Sequence, residues 1–543
     1  MSTDDPGIIP LSHWRAQVAR ARKTRRIDAL LEERDAEKLV PQLPIEELFY
    51  TIKEVGLHDA EDLLALTSPE QVQGFLDLDV WQREHFDEAR AVQWFDALVS
   101  AGPVKFASVI DALDGEEVAL YLQRQAKVYD LSIDTLPEEP EGHFYPTPDR
   151  FFMLDILVEG ERGKSLERQL DWLYRADLEM ARRVVMSARW EMPSDLEEWA
   201  YRWRSGRMAD RGFVDYYSAL SIYQPLDAAS IKLEPPVSLP AEASVPLPVQ
   251  LTLSLDDTTF FVRTLTCISN DAELDRLQMS LLLLTNRALS AEPAEPGDLA
   301  LSRSVLKKNV ATLSLGLETL SRGDLTVATE LLAKLTLEKI FRIGFTLTLQ
   351  LQRLCKTLLT QGQVRLPNTP ALLLDAPYDA LCRSLAEKRP QFALELDGKA
   401  AGSRPFQSLA DIARAAQALE EAALIGPLLF SLVDQSGVAA KIADCALVPS
   451  QVRFGTLIRT MAANFLLERD LVVEPIEASA TGELAKRLSR LSDFEATLRG
   501  RIAEKNLAAP PFLHDCVEHW LQDFSAQLSR PDGLLIKLVR SRN

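Results

Sequence analysis

The sequence predicts a mostly all-α protein: a helical-repeat superhelix followed by a helical array or bundle, with one small β-hairpin near 142–158. Three observations carry the prediction. Helix-start signals recur at short intervals between residues 44 and 114. Farther along, leucine-rich stretches step by three and four, the spacing that lines one face of an α-helix. The alternating strand–helix units that build a parallel sheet are missing.

In chain order, a first helix is expected from Ser12 to about Arg34, with Trp14, Val18, Ile27, Leu30 and Leu31 as its apolar positions. Ser68-Pro69-Glu70-Gln71 then places serine at a cap, proline at the first helical position and glutamine at the third, the arrangement of a capping box. Asp114-Gly115-Glu116-Glu117 repeats the logic with an aspartate cap, and Pro44 and Pro103 open further short helices. Gly56, Gly102 and Gly115 supply turns. Starts near 44, 57, 68, 85, 102 and 114 leave helices of about three turns or fewer, which gain their order by stacking apolar faces on neighbours. Residues 35–130 therefore read as a small superhelix.

Residues 142–158 break this pattern: aromatic and branched side chains flank a Pro-Thr-Pro-Asp turn, a hairpin signal. Helices are expected again over Leu166–Trp190, Ser194–Arg204 and Met208–Tyr223, the second opened by a capping box at Ser194-Asp195-Leu196-Glu197. Pro225 to Pro248 holds six prolines and marks the best linker. Beyond it, Leu274, Leu277, Leu281, Leu284 and Ala288 follow an Asn270 cap, with Glu273 three residues on. Leu306, Val310, Leu313, Leu317 and Leu320 lead to a stop at Gly323, where Asp324 caps a helix carrying Val327, Leu331 and Leu335. Phe406, Leu409, Ala413, Ala416, Leu419 and Ala423 mark a further helix. At 543 residues the chain exceeds one core. The expected parts are a helical-repeat region (1–135), a hairpin with aromatic and arginine-rich helices (136–224), the proline-rich linker (225–250) and a C-terminal helical domain (251–543).

A formal net charge of −20 disfavours non-specific binding to nucleic acid or anionic lipid. The five cysteines are far apart and never form a CxxC pair, which points to a reducing, cytoplasmic home and away from a disulfide framework. The N-terminus is acidic where a secretory signal needs positive charge. The longest apolar runs, such as Ala422 to Phe430, fall short of the ~20 residues of a membrane helix.

The most unusual stretch is 172–223, which holds ten of the chain's 39 aromatic side chains. Arg189, Arg202, Arg204, Arg207 and Arg211 interleave with them, together with Asp210 and Asp215. On a helix Trp199 and Trp203 share a face. An arginine beside a ring can stack while its fork grips a carboxylate or phosphate. Arg189, Trp199, Arg202, Trp203, Arg204, Arg207, Asp210, Tyr216 and Tyr217 are accordingly the candidate binding residues. The same pattern also suits two amphipathic helices packed by their aromatic faces, with the arginines pairing Asp210, Asp215, Glu197 and Glu198. Two other segments carry chemistry-bearing side chains. His514-Asp515-Cys516-Val517-Glu518-His519 has metal-ligand types, but its histidines are five apart and diverge on a helix. The basic run from Arg20 to Arg26 is followed closely by Asp28, Glu32 and Glu33, which fits a self-neutralising helix face. Phosphate loops, dinucleotide fingerprints, nucleophile elbows and zinc-protease motifs are absent from the sequence. No cofactor, metal or catalytic residue is assigned.

Leu43-Pro44-Ile45-Glu46-Glu47-Leu48 and Leu66-Thr67-Ser68-Pro69-Glu70-Gln71-Val72 resemble the short-helix steps of the cytoplasmic N-terminal domain of the MgtE magnesium transporters. The stretch from Arg189-Trp190 through Trp199 and Arg204-Ser205-Gly206-Arg207 to Tyr216-Tyr217 and Tyr223 resembles the central signature of an uncharacterised bacterial family of long helical proteins. Leu315 to Asp324 and Phe341 to Gly344 fit its second half. That resemblance implies helices and no activity. Three functions follow as expectations: a non-enzymatic protein-interaction or scaffold module with a protein partner, a sensor or enzyme with an anion-binding pocket of arginines and aromatics, and a divalent-cation-responsive acidic superhelix. The first is favoured, because stacked helices form grooves that bind peptides and helices through a few aromatic anchors.

Overall fold

Local start and stop signals decide most element boundaries. The computed structural model of the chain describes residues 36–231, 247–252, 255–292, 297–366, 372–443, 445, 451–504, 511–522, 524, 528 and 533–537. The first expected helix, the basic run at 20–26 and most of the proline-rich stretch lie outside the described residues. Helices account for 69% of the structure, so the mostly all-α expectation holds. The chain forms two compact units. One draws on Met1–Gln224, Ala228–Leu313 and Leu320–Arg342, the other on Pro225–Asp227, Ser314–Thr319 and Ile343–Asn543.

In the first unit, α1 (Ile45–Val55) follows Pro44 and ends at Gly56, whose φ of 115° excludes most side chains. α2 (Glu61–Leu66) leads to α3 (Pro69–Asp79), opened by the expected capping box of Ser68 and Gln71. Every residue of α3 from Gln71 to Asp79 is buried. A helix covered on all sides must satisfy its polar groups internally, and this one carries Gln71, Gln73, Asp77 and Asp79. Its aromatic neighbours form the nearby core: Phe75 lies 5.6 Å from Trp94, and Phe49 6.4 Å from Trp94, between ring centroids.

A short antiparallel pair, β1 (Trp81–Gln82) and β2 (His85–Phe86), stands where a helix start was expected near 85. The helix, α4 (Glu88–Ser100), begins only after the pair, capped by Asp87. α5 (Pro103–Ala112) and α6 (Gly115–Gln125) follow at the expected places. Asp114 occupies the cap position of α6 but makes no side-chain cap, because its carboxylate pairs with Arg207 instead.

β3 (Ala126–Asp130), β4 (His143–Pro146) and β5 (Phe152–Ile156) form an antiparallel sheet in the order β3-β5-β4. The hairpin near 142–158 is therefore present, and a third strand, within the stretch expected to be helical, completes the sheet. α7 (Glu161–Ala176) and α8 (Leu178–Trp190) divide the expected Leu166–Trp190 helix. The break falls at Asp177, whose extended backbone and carboxylate cap the Met180 amide at 2.9 Å.

α9 (Pro193–Asp210) runs through the expected gap at 204–208. The capping box expected at Ser194 does not form: Pro193 takes the first helical position, which puts the cap on Met192. Glu197 reaches elsewhere, accepting the Phe86 amide at 2.8 Å. After Gly212 (φ 85°), Asp215 caps the one-turn α10 (Tyr216–Ala219).

α11 (Asp271–Ser290) carries the expected Asn270 cap. α12 (Leu299–Ser321) stops before Gly323 (φ 80°), and Asp324 caps α13 (Leu325–Lys334). The buried stripe of α13 is Ala328, Leu332 and the following Leu335, one residue round from the expected face, so Val327 is exposed. α14 (Leu337–Gln361) follows.

The second unit packs α15 (Tyr378–Ala386), α16 (Leu409–Leu432), α17 (Phe454–Leu466), α18 (Leu491–Glu504) and α19 (Pro511–Leu521) around a core that includes Leu381, Phe392, Phe454, Met461 and Phe494. α16 is capped by Ser408 and buries Ala415, Ala418, Leu419 and Ala422, whereas Ala413 of the expected face is exposed. Among the described residues α16 is the one helix long and apolar enough to cross a membrane, by length and composition alone. Its buried face belongs to this core. Cys355 and Cys382, distant in sequence, are both buried in the same core as free thiols.

Candidate functional site

α9 packs against α6 and β2, and its spacing decides what each side chain does. Leu196, Ala200, Arg204 and Met208 recur every four residues and are buried. Trp199 and Trp203 lie on the adjoining stripe, and the structure leaves them 48% and 54% exposed. Gly206 and the exposed Asp210 continue that stripe.

The arginines divide by the same rule. Arg204 is 8% exposed, donates from Nε to the Asp77 carbonyl at 2.7 Å, and lies over the Trp81 ring at 5.6 Å. Arg207 grips Asp77 with two bonds of 2.8 Å and reaches Asp114 at 2.8 Å with its third nitrogen. Arg189 makes a fork of 2.7 and 2.8 Å on Asp134, which holds that carboxyl down at about 2, and stacks on Trp190. Arg202 lies over the Trp199 ring at 5.0 Å and stays exposed.

Beneath α9 these contacts close a buried acid–arginine cluster. Gln73 of α3 donates to Glu117 of α6 at 2.8 Å, and Asp77 is wholly buried beside them. Burial, then the Asp77 charge, pushes the Glu117 carboxyl up to about 7. Burial also raises Asp114 despite Arg207, and lowers Arg204. Asp79, one turn end of the same helix, takes Lys53 at 2.9 Å and the Trp94 indole at 2.9 Å. Within the cluster Arg207 offsets the charges of the buried Asp77 and the half-buried Asp114, whereas Glu117 meets the neutral Gln73 amide and Arg204 a main-chain carbonyl.

The nine sequence candidates therefore do not converge on one pocket. Arg189 and Arg207 are engaged by acid side chains of the same chain, and Arg204 by the Asp77 main-chain carbonyl. Trp199, Arg202, Trp203, Asp210, Tyr216 and Tyr217 face outward, Tyr217 being 82% exposed. Met186, Trp190 and Met192, close by in sequence, are exposed as well. Of the sixteen large apolar side chains that stand exposed among the described residues, eight fall between Leu178 and Tyr217. Sequence reasoning missed Met186 and Met192, which carry no signal beyond their place on α8 and the turn after it.

A second feature was missed as well. A cavity of about 460 Å³ opens between the start of α1, the start of α3, the end of α9 and α11. Arg211, named among the interleaved arginines but not as a candidate, lines it.

In the 514–519 segment, Val517 is buried, Asp515 and His519 are exposed, and Cys516 lies 3.8 Å from the Tyr378 hydroxyl. Among the described residues no group of three or more His, Cys, Asp or Glu side chains is arranged to hold a metal ion.

Neither the curated proteins nor the solved structures contain a match to this chain. The resemblance of the short-helix region to the MgtE domain is not shown by these comparisons. The resemblance carried by the aromatic stretch is: with its model matched over residues 7–538, the chain belongs to the family of unknown function DUF6178.

Proposed function

We propose that the protein is a non-enzymatic, cytoplasmic interaction module that holds a protein partner on the exposed aromatic face of α8 to α10. One observation carries the reading: among the described residues, half of the large apolar side chains that stand exposed fall in the 40 residues from Leu178 to Tyr217, with Trp190, Trp199 and Trp203 among them. Tryptophan and tyrosine are the side chains that dominate protein interfaces, because they bury much apolar area for little lost rotamer freedom. Concentrated exposure of such groups marks an interaction surface, whereas scattered exposure does not. Arg202 adds direction. Stacked on Trp199, its fork is held ready for a carboxylate on the rim of the partner's surface. The internal pairing of Arg189, Arg204 and Arg207 removes them from an anion pocket and supports the interaction reading over the sensor reading.

The test is purification of the tagged full chain from its own cells, in parallel with Trp199→Ala/Trp203→Ala. The expected result is a discrete partner at constant ratio with the wild type, at least tenfold depleted from the double variant, with identical far-ultraviolet spectra. Equal recovery by both forms would contradict the proposal.

A further inference from the structure

The cavity beside Arg211 has the chemistry of a small-molecule site. Its volume of about 460 Å³ is in the range of ligand pockets. Its lining includes Arg211, whose Nη1 is buried without a hydrogen-bond partner. This contrasts with Arg189, Arg204 and Arg207, each of which is bonded to an acid or a carbonyl. A guanidinium cannot shed its proton, so the positive charge stays and the unmet N–H awaits an oxyanion.

The position of that charge is built in. The guanidinium lies flat on α3 at Gly74, where a Cβ would stand 2.6 and 2.7 Å from its two terminal nitrogens. Any larger residue at 74 would displace it. Glu46 lines the same cavity, 6% exposed, and its carboxylate makes no hydrogen bond or ion pair among the described residues. Glu70 and Asp210, both exposed, stand at the rim. Leu43, Ile45, Met279, Leu282 and Leu283 supply an apolar wall.

Three carboxylates against one guanidinium repel a bare anion and repel a phosphate dianion more strongly. A ligand that brings both signs meets the whole lining. We propose that this cavity binds a free α-amino acid with an apolar side chain. Its carboxylate is held by Arg211, its ammonium lies among the acids with Glu46 the innermost, and its side chain rests on the leucine and methionine wall.

Calorimetry and thermal unfolding of the full chain with L-leucine, L-methionine and L-phenylalanine, one at a time, test this. The expected result is saturable binding of at least one of them, with a rise in melting temperature, and at least tenfold weaker binding of acetate, inorganic phosphate and butylamine. Arg211→Met and Glu46→Gln should each weaken binding at least tenfold, and Gly74→Ala should weaken it by pressing on the guanidinium. Should Arg211→Met fail to fold, Glu46→Gln decides. Trp199→Ala/Trp203→Ala should bind the amino acid as the wild type does, which separates this site from the partner surface. No binding of any of the three, binding undiminished in Glu46→Gln, or acetate or phosphate binding as tightly as the amino acid would overturn the proposal.

Discussion

At the scale of single residues, the acid–arginine cluster gives the clearest energetic predictions. Asp77 is fully buried and relies on the Arg207 fork. Arg207→Ala leaves that charge uncompensated and should destabilise the first unit by about 3–5 kcal/mol, read from denaturant unfolding. Glu117 sets a pH dependence. Its folded carboxyl titrates near 7, above the ordinary 4.5 of the unfolded chain. Between those values the folded state holds the extra proton, so stability is greatest below pH 4.5 as far as this group is concerned. It falls as pH rises toward 7 and levels off above it. Glu117→Gln keeps an acceptor for Gln73 and removes the ionisation. The variant should lose this slope and gain stability at pH 8 relative to wild type, on the order of 3 kcal/mol at most. Unfolding midpoints at pH 5 and pH 8 give the comparison, and an unchanged slope in the variant would count against the assignment.

At the scale of elements, what was legible in the sequence was local. Ser68 and Gln71, Asn270, and Asp324 after Gly323 all cap the helices their spacing announced, because a cap joins residues two or three apart. Ser68→Ala should accordingly cost about 1 kcal/mol, measurable by thermal unfolding. Contacts over long separations were not legible. β3 was hidden because Ala126 to Asp130 pair with Phe152 to Ile156, and nothing within the strand announces its partner. Arg204 and Arg207 looked like ligand-gripping side chains in a ring-rich stretch, yet their partners lie on α3, about 130 residues earlier in the chain. Trp199 and Trp203 could be placed on one face from their spacing. Which way that face points depends on α6 and β2 filling the other side. The faces of α13 and α16 were misjudged by a residue or two for a related reason. Small alanines at 328, 415 and 418 point into the core, while the larger Val327 stays outside. Size and apolarity alone do not tell which edge of an apolar stripe is covered.

At the scale of the molecule, the exposed rings between Trp190 and Tyr217 are the proposed partner surface, while the Asp77 charge, gripped by Arg207, is buried in the framework. Attraction through buried rings is not screened by salt as exposed ion pairs are, so the partner should stay bound at 0.5 M sodium chloride. The most direct test of the central claim is site-specific photocrosslinking in the native cell, with a photoreactive phenylalanine at position 203 and, as control, at Leu424, which is also exposed. The account predicts one dominant protein adduct from position 203 and none of the same mass from 424. Identical adduct patterns from the two positions, or no adduct from 203 while the protein remains folded, would contradict it.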